Sequence, residues 1–348
     1  MKRFASFSIT LSVIALVIGS PFIASRDQVK TLGTPQRRDN VSLAITSETF
    51  FNGTCTADNV EVRKEWRSLT DTEKAAYIDA ELCLMALDGE TGLPGAEGRF
   101  DDLQAVHQHW TNTTNGDIIH GVGQFLPWHR WFVYTHATLL RTQCNYTGTI
   151  PWWDEALDAA SGNFFQSNMW SDDTGFGGNG TSSNNCVTTG PFANRTIHIG
   201  PMEATTDYCF KRDWNNTLGV EDAAQENVDE CYAYNDYASF WECLIAKPHV
   251  AGHGGTGGVM VDGDCSPGDP IFYMHHNYLD RLWWQWQQSN SSSRMYDMAG
   301  YTTSEEPATG WVNTTLSYVM SMYDIVPNVT VEEVMNVQGG YLCYEFEY

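Results

Sequence analysis

Apolar positions recur at helical spacing in several stretches of this chain, and glycine and small polar residues fill the intervals between them. The pattern Thr70-x-x-Glu73 precedes one such run and has the form of a capping box, which predicts a helix from residue 70 to about 87. A Gly/Pro-rich break at 89–98 ends it. Asp101 and Asp102 then open a second helix reaching Trp110, their charge suited to the positive N-terminal end of a helix. A third is expected from about His129 to Arg141. Helical patterning returns over 236–246 and from Asp269-Pro270 to about Gln288. Pro248 suits the first turn of a further short helix, and Gly254-Gly255 is expected to stop it. Residues 161–235, rich in Gly, Asn, Ser and Thr, read as loop, and the tail beyond Asn290 carries β-like pieces such as 314–318. No solenoid repeat and no linker divides the chain. The expected fold is mainly α, one domain over 55–348 with long loops and a few short β pieces.

The N-terminus changes the compartment. Met1-Lys2-Arg3, an apolar run over 4–23 and small residues at Ala24-Ser25 have the grammar of a secretory signal peptide, here 1–24. The alternative is a membrane anchor, because the run approaches the roughly 20 residues that span a bilayer. Ser and Gly dilute it and no second apolar stretch follows, so cleavage and secretion, with no membrane attachment afterwards, are expected. Residues 25–54, polar from Arg26 to Asn40 with Arg37-Arg38 in the middle, are expected to form an N-terminal arm or propeptide. Asn-x-Ser/Thr sequons begin at Asn40, Asn52, Asn112, Asn145, Asn179, Asn194, Asn215, Asn290, Asn313 and Asn328, in keeping with an extracellular glycoprotein. The 9 cysteines are scattered with no C-x-x-C pair, which in an exported chain favours disulfides over metal sites. Their pairing is open; an odd count leaves at least one unpaired.

Charge and composition exclude more than they identify. A net charge of −24 is incompatible with a nucleic-acid binder that neutralises phosphates. With 42% hydrophobic residues, 18% charged and 13 Trp, the chain is no disordered acidic tail.

The 10 histidines carry the chemistry. Leu103, Val106, His107 and Trp110 fall at i, i+3, i+4 and i+7, so His107 points inward while His109 lies about 240° from Leu103. His120 and His129 follow closely. Phe132, Val133, His136 and Leu140 share the inward face of His129; His136, two turns on, is too far for a common ion and reads as a core residue. In the second half His249 and His253, spaced i, i+4, bring two imidazoles to one point. A third comes from His275-His276, where Phe272, His276, Leu279, Trp283 and Trp286 share a face and His275 sits only about 100° away. Phase alone leaves that choice open. Two His triads without nearby thiolate or carboxylate ligands suit Cu, Zn, Fe or Ni, and three ligands leave positions open for catalysis or gas binding. Val250 after His249, where a zinc protease would carry its Glu base, disfavours that chemistry.

At these residues the chain resembles the tyrosinase/catechol oxidase (polyphenol oxidase) family of type-3 copper proteins, and in particular the short secreted fungal forms. The resemblance spans 55–344 and rests on Val62-Arg63-Lys64-Glu65-Trp66-Arg67, Phe125-Leu126-Pro127-Trp128-His129-Arg130 and residues 269–286. It implies a central four-helix bundle holding two copper ions, the first on His107, His120 and His129, the second on His249, His253 and His276, since the family uses the second His of its pair. His198 matches a non-ligand stretch. The implied partners are O2 and a small phenol, with o-diphenols oxidised to o-quinones and limited ortho-hydroxylation of monophenols. Two coppers supply the two electrons that take O2 to the peroxide level. Val250, Gly254 and Met260 are pocket candidates.

Three departures from the family pattern matter. Ile118 stands two residues before His120, where many fungal relatives place the Cys of a Cys–His thioether, so that crosslink is absent. Ile245 occupies the position of a water-orienting Glu, with Glu242, one helical turn earlier, as the candidate substitute. Val250 replaces the Asn that accompanies strong monophenol activity. The competing functions are a haemocyanin-like O2 carrier and a dinuclear zinc or iron hydrolase. The absence of carboxylates among the expected ligands speaks against the hydrolase, and the short stretch after His276 against the large shielding domain of a carrier.

Overall fold

The computed structural model describes residues 54–347 other than Ser182. The leader at 1–24, the arm as far as residue 53 and the sequons at Asn40 and Asn52 lie outside the described residues. Among the described residues no helix is long and apolar enough to cross a membrane.

Strand β1 (Glu61–Glu65) precedes helix α1 (Asp71–Ala86). The capping box forms: Glu73 N–H donates to Thr70 Oγ1 at 3.3 Å, and Thr70 N–H donates to the Glu73 carboxylate at 2.7 Å. Helix α2 (Arg99–Thr111) starts two residues before Asp101. Both acidic residues lie in its first turn as expected: Asp101 accepts the N–H of the capping residue Gly98, while Asp102 reaches back to accept those of Glu90 and Thr91 and ties down the preceding loop. Helix α3 (Phe125–Cys144) begins four residues ahead of His129, with Pro127 in its first turn, and ends at Asn145 in the left-handed region at φ 56°.

Strand β2 (Pro151–Trp152) and helix α4 (Glu155–Ala160) follow. The stretch read as loop contains the two-residue strands β3 (Thr196–Ile197) and β4 (Tyr208–Cys209) and two short helices, α5 (Asn216–Asp222) and α6 (Gln225–Ala233). Helix α5 is capped by the Asn215 side chain. Helix α7 (Tyr237–Ala246) starts at its Asp236 cap.

Helix α8 (Pro248–Thr256) overruns the predicted stop. Gly254 and Gly255 lie inside it because α8 packs against α5 with no room for a side chain: a Cβ on Gly255 would meet the Phe164 ring at 2.9 Å and Gly219 Cα at 3.2 Å. The helix ends at Gly257, with φ 65°.

Helix α9 (Ile271–Ser289) is buried along most of its length, and α10 (Ser291–Arg294) follows. In the tail the strands are β5 (Val319–Met320), β6 (Val329–Thr330) and β7 (Tyr344–Phe346), with α11 (Val331–Met335) between the last two. The expected strand at 314–318 therefore sits just upstream of the real one.

Parallel pairing sets the order β2-β1-β7, with Lys64 opposite Pro151 and Val62 opposite Glu345. Helix α3 packs against α1, α9 and α11, and α9 also packs against α8 and β2. Where these elements meet, buried Asp280 accepts Arg130 Nε and the Tyr344 hydroxyl, each at 2.5 Å, and lies 3.6 Å from Arg63 Nη1. Disulfides join Cys55–Cys343, Cys83–Cys144, Cys186–Cys209 and Cys231–Cys243, and buried Cys265 is the unpaired one.

Candidate metal centre

Helix phase and one loop bring the predicted histidines into two adjoining clusters. His107 on α2, His129 on α3 and His120 on the loop between them converge, and His249 and His253 on α8 converge with His275 and His276 on α9. Within each cluster one nitrogen from every ring lies within 4.8 Å of the others. The clusters touch: the His129 and His276 rings stack, centroids 4.4 Å apart and 11° from parallel.

The remaining ring nitrogens show how each imidazole is aimed. His107 Nδ1 donates to the Asp264 carbonyl at 2.9 Å, His129 Nδ1 to the Phe125 carbonyl at 2.8 Å and His253 Nδ1 to the Met260 carbonyl at 2.6 Å. A carbonyl can only accept, so these rings carry their proton on Nδ1 and present a bare Nε2 lone pair. His120 Nδ1 meets the Asp117 carboxylate at 2.8 Å in the same way. Nε2 of His107, His129 and His249 is buried without any protein partner, and His253 Nε2 and His276 Nε2 face each other at 3.2 Å. Buried polar atoms left bare in this number, all aimed into one place, fit a pair of metal ions.

Burial, reinforced by the neighbouring imidazoles, holds the pKa of His107, His129, His249, His253 and His276 well below the ordinary histidine value. The rings are therefore neutral, the form that binds metal. At Asp117 burial works upwards, but hydrogen bonds from His120 and the backbone outweigh it and hold the carboxyl below its usual range.

His275 and His276 both belong to the second cluster but differ in their contacts. His276 turns towards His253, His129 and the Phe272 ring, whereas His275 pairs through Nδ1 with buried Glu155. Gly252 makes room for it, since a Cβ there would sit 2.1 Å from His275 Nδ1. His109 is exposed beside Tyr323, His136 is buried against Glu81 and Tyr273, and His198 lies between Asp207 and Glu97.

Glu242 is not brought to the clusters. It is exposed and lines a surface pocket with Glu230, Tyr234, Ser239, Cys243, Ala246 and Lys247, a lining that contains none of the histidines. Val250 is 36% exposed beside His249. Gly254 lines an open cavity of about 460 Å³ with Asp213, Trp214 and Val261. The Met260 side chain is buried, and its contribution to the site is the carbonyl that holds His253.

Phe125 went unassigned in the sequence; its ring lies 4.7 Å from that of His129 and 5.0 Å from that of His249, at the seam of the clusters. Asp117 and Glu155 were missed as well. Asp117 had a readable signal, an acidic residue three positions before a loop histidine. The carbonyls of Asp264 and Met260 had none, because their side-chain identity says nothing about where the backbone points.

The pattern that matches the common central domain of tyrosinase covers residues 97–289, the whole interval that carries both clusters. The chain belongs to the tyrosinase family. Tyrosinase-family enzymes are copper oxidases built around a dinuclear copper site. A tyrosinase-like protein phomQ1 of Diaporthe leptostromiformis is 32% identical over 320 residues, covering 82% of this chain and 77% of that protein. N-acetyl-6-hydroxytryptophan oxidase ivoB of Emericella nidulans is 30% identical over 350 residues, covering 84% and 94%. Among solved structures, a variant of the polyphenol oxidase of Thermothelomyces thermophila superposes with a TM-score of 0.77 at 29% identity, covering 85% of this chain and 91% of that one. A functional unit of octopus hemocyanin shares the fold at 18% identity and a TM-score of 0.55.

Proposed function

We propose that this tyrosinase-family chain is a secreted type-3 copper enzyme that oxidises o-diphenols to o-quinones with O2 and hydroxylates monophenols weakly. The observation that carries the reading is the pair of adjoining clusters in which His107, His120, His129 and His253 are anchored through Nδ1 and Nε2 of His107, His129 and His249 is buried without a protein partner. His107, His120 and His129 would hold one copper and His249, His253 and His276 the other, the set expected from the sequence. The bound coppers supply the one-electron changes that O2 reduction requires. Overall, two o-diphenols each lose two electrons and two protons, and one O2 becomes two waters.

The chain's own residues set access and proton handling. His107, His129 and His276 are buried and form the floor, while half-buried His120, His249 and His253 mark the side open to a phenol ring. Phe125 and Phe272 keep the floor apolar and exclude water from it. Near His249 the exposed neighbour is Val250, which cannot take a proton, and the carboxylate in contact with the first cluster, Asp117, is engaged by His120. A monophenol must lose its proton on arrival, whereas a diphenol offers a second acidic hydroxyl, so diphenols are favoured. Exposed sequons at Asn112, Asn145, Asn194, Asn215, Asn290, Asn313 and Asn328 and the four disulfides support export.

The test loads the purified protein with copper, adds catechol under O2, and follows oxygen uptake and quinone absorbance, with tyrosine and guaiacol in parallel. Catechol should turn over fastest. His107→Ala and His276→Ala should each lower turnover by at least about 1,000-fold, equivalent to about 4 kcal/mol of barrier. Reversible O2 binding without quinone would make the chain a carrier, and retained turnover in His276→Ala with loss in His275→Ala would move the ligand.

A further inference from the structure

His120 differs from the other five proposed ligands in having no helix to aim it. It sits on the loop between α2 and α3, in a chain whose Ile118 removes the thioether that would otherwise fix the ring covalently. The loop is nonetheless held in place. Asp117 Oδ1 accepts the backbone N–H of Ile119 at 2.7 Å and of His120 at 2.8 Å, and Asp117 Oδ2 accepts His120 Nδ1 at 2.8 Å. One carboxylate thus fixes both the turn and the ring.

A second segment, 299–314, straps that loop from outside. Asp117 N–H donates to Ser304 Oγ at 3.0 Å, and Ser304 N–H donates to the Asp117 carbonyl at 2.9 Å. At the other end buried Gln124 donates to the carbonyls of Ile118 at 2.6 Å and Thr302 at 2.8 Å, and accepts from Thr314 Oγ1 at 2.6 Å. The approach is close enough to require glycine on both strands, since a Cβ on Gly123 would lie 2.4 Å from the Ala299 carbonyl and one on Gly300 2.7 Å from Gly123 Cα.

We propose that Asp117 is a positioning residue that, braced by the 299–314 strap, does by hydrogen bonding what a covalent crosslink does in relatives: it fixes the orientation of His120 and the Nδ1–H tautomer. The carboxylate accepts and cannot donate, so the ring proton stays on Nδ1 and the lone pair of Nε2 faces the cluster. This rests on the dicopper reading, but the tautomer is a property of the metal-free chain and can be tested apart from it.

The informative variant is Asp117→Asn, which keeps size and shape. If the amide oxygen stays on the two backbone N–H groups, the amide NH2 faces His120 Nδ1 and forces that nitrogen to accept. The ring proton then moves to Nε2, the atom the metal needs.

Nitrogen NMR of the histidine rings in metal-free protein should show His120 protonated on Nδ1 in the native sequence and on Nε2 in Asp117→Asn. Isothermal titration with copper should show the first site weakened about 10–100-fold, the range seen when the outer partner of a ligating His is lost, with the second site unchanged. Ser304→Ala should weaken the first site by less and leave the tautomer alone. A native His120 found protonated on Nε2, or an Asp117→Asn protein with unchanged tautomer and copper affinity, overturns the proposal. The native-chain spectrum decides the matter even where the variant does not fold. Failure of the native chain to bind two coppers, with the Nδ1–H tautomer intact, would instead count against the dicopper reading alone.

Discussion

At the scale of single residues, six imidazoles, four of them buried and two half-buried, make the metal-free protein acid-sensitive. Burial lowers His107, His129, His249, His253 and His276 well below the ordinary value and His275 to about 3. The unfolded chain takes up these protons near pH 6.5, the folded chain only far below it. Between those limits the unfolded state binds more protons, and stability falls as pH falls, by about 1.4 kcal/mol per pH unit for each group. Glu65 and Glu155, raised by burial, and Asp158, raised to about 7, act in the opposite sense. Six groups outweigh three. The melting temperature of metal-stripped protein should therefore drop steeply between pH 7 and pH 5, and a level or rising curve would contradict the assignment. Of these side chains, His107 was legible because it lay on an apolar face. His120 was visible only through the family motif, because a loop has no period from which direction can be read. Glu155 was not legible: it reaches His275 across 120 positions of sequence.

Among the elements, helix existence was readable and helix ends were less so. Thr70, Asp236 and Pro248 marked starts correctly, each by a capping or N-terminal preference that acts locally. Gly254-Gly255 misled because glycine has two uses, stopping a helix and letting another backbone come close, and only the second applies here. The consequence can be measured through its sign. Alanine in place of a helical glycine ordinarily gains about 1 kcal/mol. Gly255→Ala should instead destabilise by about 1–3 kcal/mol in denaturant unfolding, because its methyl group would press on Phe164 and Gly219. Helix α9 offers a second case. Asp280→Ala leaves Arg130 and Arg63 buried without their carboxylate and should cost about 3–5 kcal/mol in the same measurement. Exposed Asp229→Ala serves as the control and should change stability by less than about 0.5 kcal/mol.

For the molecule as a whole, the mainly helical architecture followed from the spacing of apolar residues, whereas the sheet and the strap did not. Their contacts lie far apart in sequence and involve segments too short to show a pattern. The Cys55–Cys343 disulfide, spanning 288 positions, closes the longest loop among the four bridges. By the chain-entropy argument long closures constrain the unfolded state most. The double variant Cys55→Ser/Cys343→Ser should lose about 2–5 kcal/mol, read by denaturant unfolding, while keeping both histidine clusters.

Pairing of β1 with β7 also imposes an order of events on the growing polypeptide. Residues 61–63 find their neighbours at 344–346 only after about 280 further residues have been synthesised. The helices that carry the histidines can form earlier, but Asp280, Arg63 and Tyr344 meet only then. The buried brace behind the second cluster is thus completed after translation has passed residue 344, and a ribosome halted before that point holds a chain with every proposed copper ligand present and its clasp still open.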